Sequence, residues 1–208
     1  MLKGASLVVA AGETVALLGR NGSGKTTLLR IIATLLRPTR GVGTVFGHDL
    51  VRDADAVRTH TGLLGHTNAV YPDLTAAENL GFTVRMLGRA FDQRSVEAAL
   101  DAVGLGAQAN TRARGFSAGM QRRLALARLR LISPGVLLLD EPYSSLDPEG
   151  TELVTALMTD TRNHGGATIL VTHDISRATR VADRVLYLDD GRIVPWSPSH
   201  MGAGDNAE

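Results

Sequence analysis

Cysteine is absent from the 208-residue sequence, which excludes a disulfide framework and a thiolate zinc centre and is compatible with a reducing compartment. Aromatic residues make up only 4% of the chain, too few for the stacking platforms that hold single-stranded nucleic acid. Neither sign of charge is in surplus. The 22 basic and 21 acidic residues leave a formal net charge of +1, so there is no basic footprint for nucleic acid and none is expected as a partner. No apolar run approaches the roughly 18 residues of a membrane span, and a role at a membrane is therefore expected to come through another protein. What is there is a hydrophobic content of 44%, enough to build the core of one compact α/β unit.

The stretch Gly19-Arg20-Asn21-Gly22-Ser23-Gly24-Lys25-Thr26-Thr27 organises the rest. It follows the apolar run Val15-Ala16-Leu17-Leu18 and opens a helix-compatible run from Lys25 to Leu36. Strand, glycine loop and helix in this order are the context of a phosphate-binding loop. Glycines at Gly19, Gly22 and Gly24 let backbone N–H groups wrap phosphate oxygens where a Cβ would block them. Lys25 supplies a charge for the β- and γ-phosphates, Thr26 a hydroxyl for Mg²⁺, and the helix start a partial positive charge.

Before the loop, Ser6–Ala10 reads as a short strand; after it, 43–49 suggests a small β element around Gly47-His48-Asp49, followed by a second apolar run ending at Gly65. From Thr75 the texture changes, because Thr75 and Glu78 form a capping-box pattern and Leu80, Val84 and Leu87 recur at helical spacing. A second helical pattern runs from Arg94 to Val103. The expected organisation is one domain with core segments 1–74 and 115–196, a helical insertion 75–114, and a mobile polar tail 197–208. In the second core segment, Val136 to Leu139 read as a buried parallel strand ending in Asp140 and Glu141, where open α/β sheets hold their ligands. Asp140 is placed to hold Mg²⁺ and Glu141 to polarise an attacking water. Asp147-Pro148 opens a helix to about Asn163, the strand Ala167–Val171 delivers His173 to the same side, and a short helix and the strand Arg184–Leu188 follow. Between insertion and strand, Ser117 begins an amphipathic helix with Leu124, Ala127 and Leu131 on one face and arginines opposite.

Taken together, these stretches resemble the nucleotide-binding subunit of an ABC transporter. LLGRNGSGKTT is similar to Walker A, VLLLDEP to Walker B, FSAGMQRRLALAR to the signature segment, SSLD to the D-loop and VTHD to the switch histidine, in order over essentially the whole chain. The resemblance implies a P-loop NTPase fold with a mainly parallel core sheet, a small N-terminal antiparallel β element and an inserted helical subdomain. It implies ATP and Mg²⁺ as ligands. Lys25, Glu141 and His173 would be catalytic, Gly19 to Thr27 would bind nucleotide, and Thr26, Asp140 and His66 would face the metal. It also implies a head-to-tail pair of subunits in which Ser117 and Gly119 meet the γ-phosphate held by the partner, and transmembrane permease subunits at the cytoplasmic face of the membrane. Tyr71, Leu74, Phe82 and Met86 are candidates for the groove that receives a helix of those subunits.

The chain departs from the family pattern at three places. Ala118 and Met120 replace a glycine and the glutamine of the usual signature, and His66 stands where a glutamine links metal and water to the membrane partner. No aromatic precedes Phe46 to stack on a base. GHTNAVYPDLTAAENL, His66 and the Ala-Gly-Met-Gln signature are similar to haem-exporter subunits of cytochrome c maturation, and drug or polysaccharide exporters share most of the pattern. Among non-transport relatives, DNA-repair members would carry a long coiled coil or zinc cysteines and translation factors two fused copies, and the sequence has neither. A small-molecule kinase would have no use for the LDEP, SSLD and VTHD series.

Overall fold

The computed structural model describes residues 2–200. Its centre is a six-stranded sheet. In chain order the strands are β1 (Thr14–Leu18), β4 (Thr61–Leu64), β5 (Val136–Asp140), β6 (Ala167–Val171), β7 (Arg184–Asp189) and β8 (Arg192–Pro195), arranged β4-β5-β6-β1-β7-β8. All neighbours pair parallel except β7 and β8. A separate antiparallel pair, β2 (Thr44–Val45) and β3 (His48–Asp49), forms the small β element. Seven α-helices lie among the described residues, beside three single-turn 3-10 helices: α1 (Lys25–Ile32), α2 (Ala54–His60), α3 (Ala76–Met86), α4 (Gln93–Asp101), α5 (Ala118–Ile132), α6 (Pro148–Asn163) and α7 (Ile175–Val181).

The central strands are apolar on both faces, as a parallel sheet covered by helices requires. Leu17, Leu138, Ile169 and Val171 point to the side of α1, packing with Leu29 and Ala33. Leu64, Leu137, Leu139 and Leu170 point to the other, where they meet Leu124, Leu126 and Leu129 of α5 and Val154 and Leu157 of α6. Fully burying each such side chain is worth about 1.5–3 kcal/mol. The same core continues through α5 to Leu80 of α3 and to Val96 and Leu100 of α4. The helices between β4 and β5 are thereby tied to the sheet by a shared hydrophobic contact. The capping box expected at Thr75 is formed: Glu78 N–H donates to Thr75 Oγ1 at 3.1 Å and Thr75 N–H to Glu78 Oε2 at 2.7 Å.

Several local expectations are corrected. Ser6–Ala10 is not a strand, because side chains rather than a neighbouring strand take its backbone groups: Ala10 N–H donates to Glu13 Oε2 at 2.7 Å and Arg184 donates to the Val8 carbonyl at 2.6 Å. The small antiparallel element is β2 and β3, within the expected 43–49. Helix α1 stops at Ile32 rather than Leu36, with Thr34 left-handed at φ 57°. Helix α2 and strand β8 were not expected. The β7–β8 turn carries Asp190 at φ 39° and Gly191 at φ 81°, the twist that a tight hairpin needs. Of the tail, Ser197 to His200 are held by a Ser197 N–H to His200 Nδ1 bond of 2.9 Å and by stacking of His200 on Tyr187 at 4.6 Å. Residues 201–208 lie outside the described residues.

Candidate active site

Five candidate residues sit at or just beyond the C-terminal end of a parallel strand: Gly19 after β1, His66 after β4, Asp140 and Glu141 at the end of β5, and His173 after β6. That is the edge where open α/β sheets hold ligands. Asp140 pairs in register with Val171, so the two strand ends lie side by side.

The Gly19–Thr27 loop needs its glycines. Gly19, Gly22 and Gly24 have φ of 150°, 77° and 111°, and a Cβ at Gly19 would lie 2.8 Å from the Leu188 carbonyl oxygen. Gly24 is the N-cap of α1 and offers no side-chain cap to the helix, so no side chain stands where an anion would meet the positive end of the helix. Lys25 is buried, and its Nζ donates to the Gly19 carbonyl at 2.6 Å and the Arg20 carbonyl at 3.0 Å. Burial pulls the Lys25 pKa below the usual lysine value, against the attraction of Glu141 and Asp140. The Ser23 hydroxyl is buried without a hydrogen-bond partner among the described residues. A cradle with an orphan hydroxyl, an uncapped helix start and a poised lysine fits a phosphate chain.

Thr26 Oγ1 donates to Asp140 Oδ2 at 2.7 Å, joining the loop to the end of β5. His66 Nε2 lies 3.6 Å from the same carboxylate oxygen, with its side chain 62% exposed. No cluster of three or more His, Asp or Glu suited to a metal occurs among the described residues. One hydroxyl and one buried carboxylate form an oxygen set that fits Mg²⁺, which takes one or two protein ligands and completes its shell with phosphates and water. Glu141 has a left-handed backbone, φ 47°, and its Oε2 lies 3.0 Å from His173 Nδ1. A non-glycine residue in that conformation is strained and is found where the surroundings hold it for a purpose.

Ser117 and Gly119 are not in this cluster. Ser117 is exposed and caps α5, accepting from the Met120 N–H at 3.2 Å, while a Cβ at Gly119 would lie 3.3 Å from the Ser145 carbonyl oxygen of the SSLD stretch. The reading of α5 also missed a residue. Arg122, expected on an exposed arginine face, is 4% exposed and points into the site. The detectable signal was the run Leu124 to Ala127 with Leu129, buried almost all round the helix, which leaves a neighbouring arginine no clear solvent side.

Comparison with known proteins is consistent with this geometry. The family model for ABC transporters matches residues 2–144. The chain belongs to that family. It is an ABC ATPase domain with the P-loop NTPase cassette fold. A solved dimeric ATP-binding cassette, in a post-hydrolysis state with ADP and Pi, superposes with TM-score 0.83 at 30% identity, covering 92% of this chain and 88% of that one. The daunorubicin/doxorubicin resistance ATP-binding protein DrrA of Streptomyces peucetius is 36% identical, over 92% of this chain and 58% of its own length. The thiamine import ATP-binding protein ThiQ of Jannaschia sp. is 39% identical, over 98% of this chain and 90% of its own. The cytochrome c biogenesis ATP-binding export protein CcmA 2 of Cupriavidus metallidurans is 37% identical, over 83% and 82%. The chain spans between 52% and 62% of the length of the first relatives it matches. The expected likeness to haem exporters is thus one among several, and importers and exporters match alike.

Proposed function

We propose that this ABC ATPase domain binds Mg²⁺·ATP in the Gly19–Thr27 loop and hydrolyses it to drive a membrane transporter. The observation that carries the reading is the convergence, at one sheet edge, of Lys25, the Thr26–Asp140 pair and the Glu141–His173 pair. Gly19 to Thr27 cradle the triphosphate and Lys25 neutralises its β- and γ-oxygens. Thr26 and Asp140 hold the metal, with His66 beside them. The metal, when bound, neutralises charge developing on the transferred phosphoryl group. Glu141 polarises the attacking water, and His173 holds the Glu141 carboxylate on the γ-phosphate side.

Ser117 and Gly119 serve the nucleotide of a second cassette paired head to tail. The dimeric state of the solved relative supports that pairing. The cassette sits peripherally at the cytoplasmic face of the membrane beside permease subunits; among the described residues no helix is long and apolar enough to cross one. Tyr71, half exposed and edge-on to Phe82 at 4.8 Å, and the exposed Met86 form the docking groove with Leu74. The direction we favour is export. His66 and the Ala-Gly-Met-Gln signature support a haem-export type of cytochrome c maturation, and the likeness to DrrA supports a drug exporter as the second reading.

The test is Glu141→Gln. Loss of the water-polarising carboxylate should lower turnover by about 10²–10⁴-fold, with ATP still bound and an ATP-dependent dimer accumulating on size-exclusion chromatography. Turnover equal to that of the unmodified chain would overturn the assignment.

A further inference from the structure

Arg122 lies in the second turn of α5 and donates to four backbone carbonyls and one side chain. Nη1 reaches the Gly65 carbonyl at 2.6 Å and Asn68 Oδ1 at 3.2 Å; Nη2 reaches the carbonyls of Glu141 at 2.7 Å and Asp140 at 3.3 Å; Nε reaches that of Pro142 at 3.3 Å. Three segments meet on one guanidinium: the helix that begins at Ser117, the loop carrying His66, and the turn carrying both catalytic carboxylates. All five acceptors are neutral oxygens, so this is no salt bridge. Burial lowers the Arg122 pKa while Asp140 and Glu141 attract the charge. The planar fork of arginine is the only side chain with five donors in fixed directions. It bonds the carbonyls of three consecutive residues around the left-handed Glu141, a conformation that persists only where neighbours over-determine it.

We propose that Arg122 is a positioning residue for hydrolysis: it fixes the Asp140–Pro142 turn that aims Glu141 and transmits displacement of the Gly65–Asn68 loop to that turn. The proposal rests on the ATPase reading above. It gives the loop a route to the catalytic carboxylate through backbone carbonyls, independent of the exposed His66 and its 3.6 Å approach to Asp140.

The experiment is steady-state ATP hydrolysis by the full chain, with Arg122→Lys, Asn68→Ala and the double variant, alongside thermal melting. Arg122→Lys keeps the charge but cannot form the fork; kcat should fall roughly tenfold or more while KM stays within about twofold. Asn68→Ala removes one acceptor from a loop outside the core and should lower kcat by about threefold with melting unchanged. The two effects should be non-additive in the double variant. A merely structural role would lower the melting temperature and leave kcat per nucleotide-binding site intact, and that result overturns the proposal. Should Arg122→Lys fail to fold, Asn68→Ala decides alone: an unchanged kcat overturns the proposal. Absence of turnover in the unmodified chain would overturn the ATPase reading and this proposal with it, whereas turnover that survives Arg122→Lys overturns this one alone.

Discussion

Two helix N-termini in this molecule were expected to meet phosphate, and they are built differently. Helix α1 starts at Gly24, has no side-chain cap, and keeps the buried Lys25 at its first position. Helix α5 starts at the exposed Ser117, whose own hydroxyl accepts from the Met120 N–H, and has no lysine beside it. A helix start with no side-chain cap is one that an anion can complete, and the first has no side chain in that place. At the second, Ser117 already takes up the Met120 N–H. Under the function proposed above, the difference makes the loop before α1 the primary site, which holds a nucleotide on a single chain, and leaves Ser117 and Gly119 to add a contact to a nucleotide held elsewhere. That asymmetry is what a head-to-tail pair demands, since each nucleotide then needs one site of each kind.

The largest expected effect breaks the primary site. Lys25→Ala removes the charge-assisted contact to the phosphates and should weaken ATP binding to the single chain by about a hundredfold or more, equivalent to about 3 kcal/mol. Equilibrium titration with a fluorescent ATP analogue checks it; binding within about threefold of the unmodified chain would mean that the loop is not the primary site.

A smaller effect isolates the secondary site. Ser117→Asp keeps a good N-cap for α5 but sets a carboxylate where the partner's γ-phosphate would approach. The melting temperature should be unchanged and the single-chain ATP affinity should stay within about twofold of its original value, while the ATP-dependent dimer formed in a Glu141→Gln background should weaken by about tenfold. Analytical ultracentrifugation with and without ATP measures this, and an undiminished dimer would remove Ser117 from the interface.

The asymmetry itself was only half legible in the sequence. The primary site could be read because its chemistry is local: glycine spacing, the lysine and the preceding strand lie within one short segment. Strand β6 and helices α3 and α6 were equally plain, since a capping box at Thr75 and Asp147 ahead of Pro148 mark helix starts by backbone chemistry alone. What failed depends on partners distant in sequence. Ser6–Ala10 is apolar enough for a strand, but Arg184, 176 residues away, takes the Val8 carbonyl. Helix α2 buries only Val57, so its periodicity is too weak to read. Arg122 looked like one of several surface arginines, and only the fold shows that carbonyls from Gly65 to Pro142 converge on it.

The smallest effect concerns the end of the nucleotide that neither helix start touches. Both sites are proposed to meet phosphate, and phosphate is the same in ATP and GTP. Discrimination must therefore come from the base, and in the resembling family it comes from an aromatic ahead of the phosphate loop. Here the first aromatic is Phe46, and it is engaged elsewhere: its ring lies 4.9 Å from that of His60, and a Cβ at Gly135 would come within 2.6 Å of it. Gly135 and His60 precede β5 and β4, so Phe46 sits at the end of the sheet opposite Gly19. Base–aromatic stacking is worth about 1–3 kcal/mol, and in the 208-residue chain tested by itself, with Phe46 engaged elsewhere, the triphosphate contacts dominate affinity. ATP and GTP should then compete within about tenfold of each other. A competition titration on the unmodified chain measures the ratio. A preference for ATP beyond about a hundredfold would mean that a side chain outside the Gly19–Thr27 loop grips the adenine, and that the primary site extends past the phosphates.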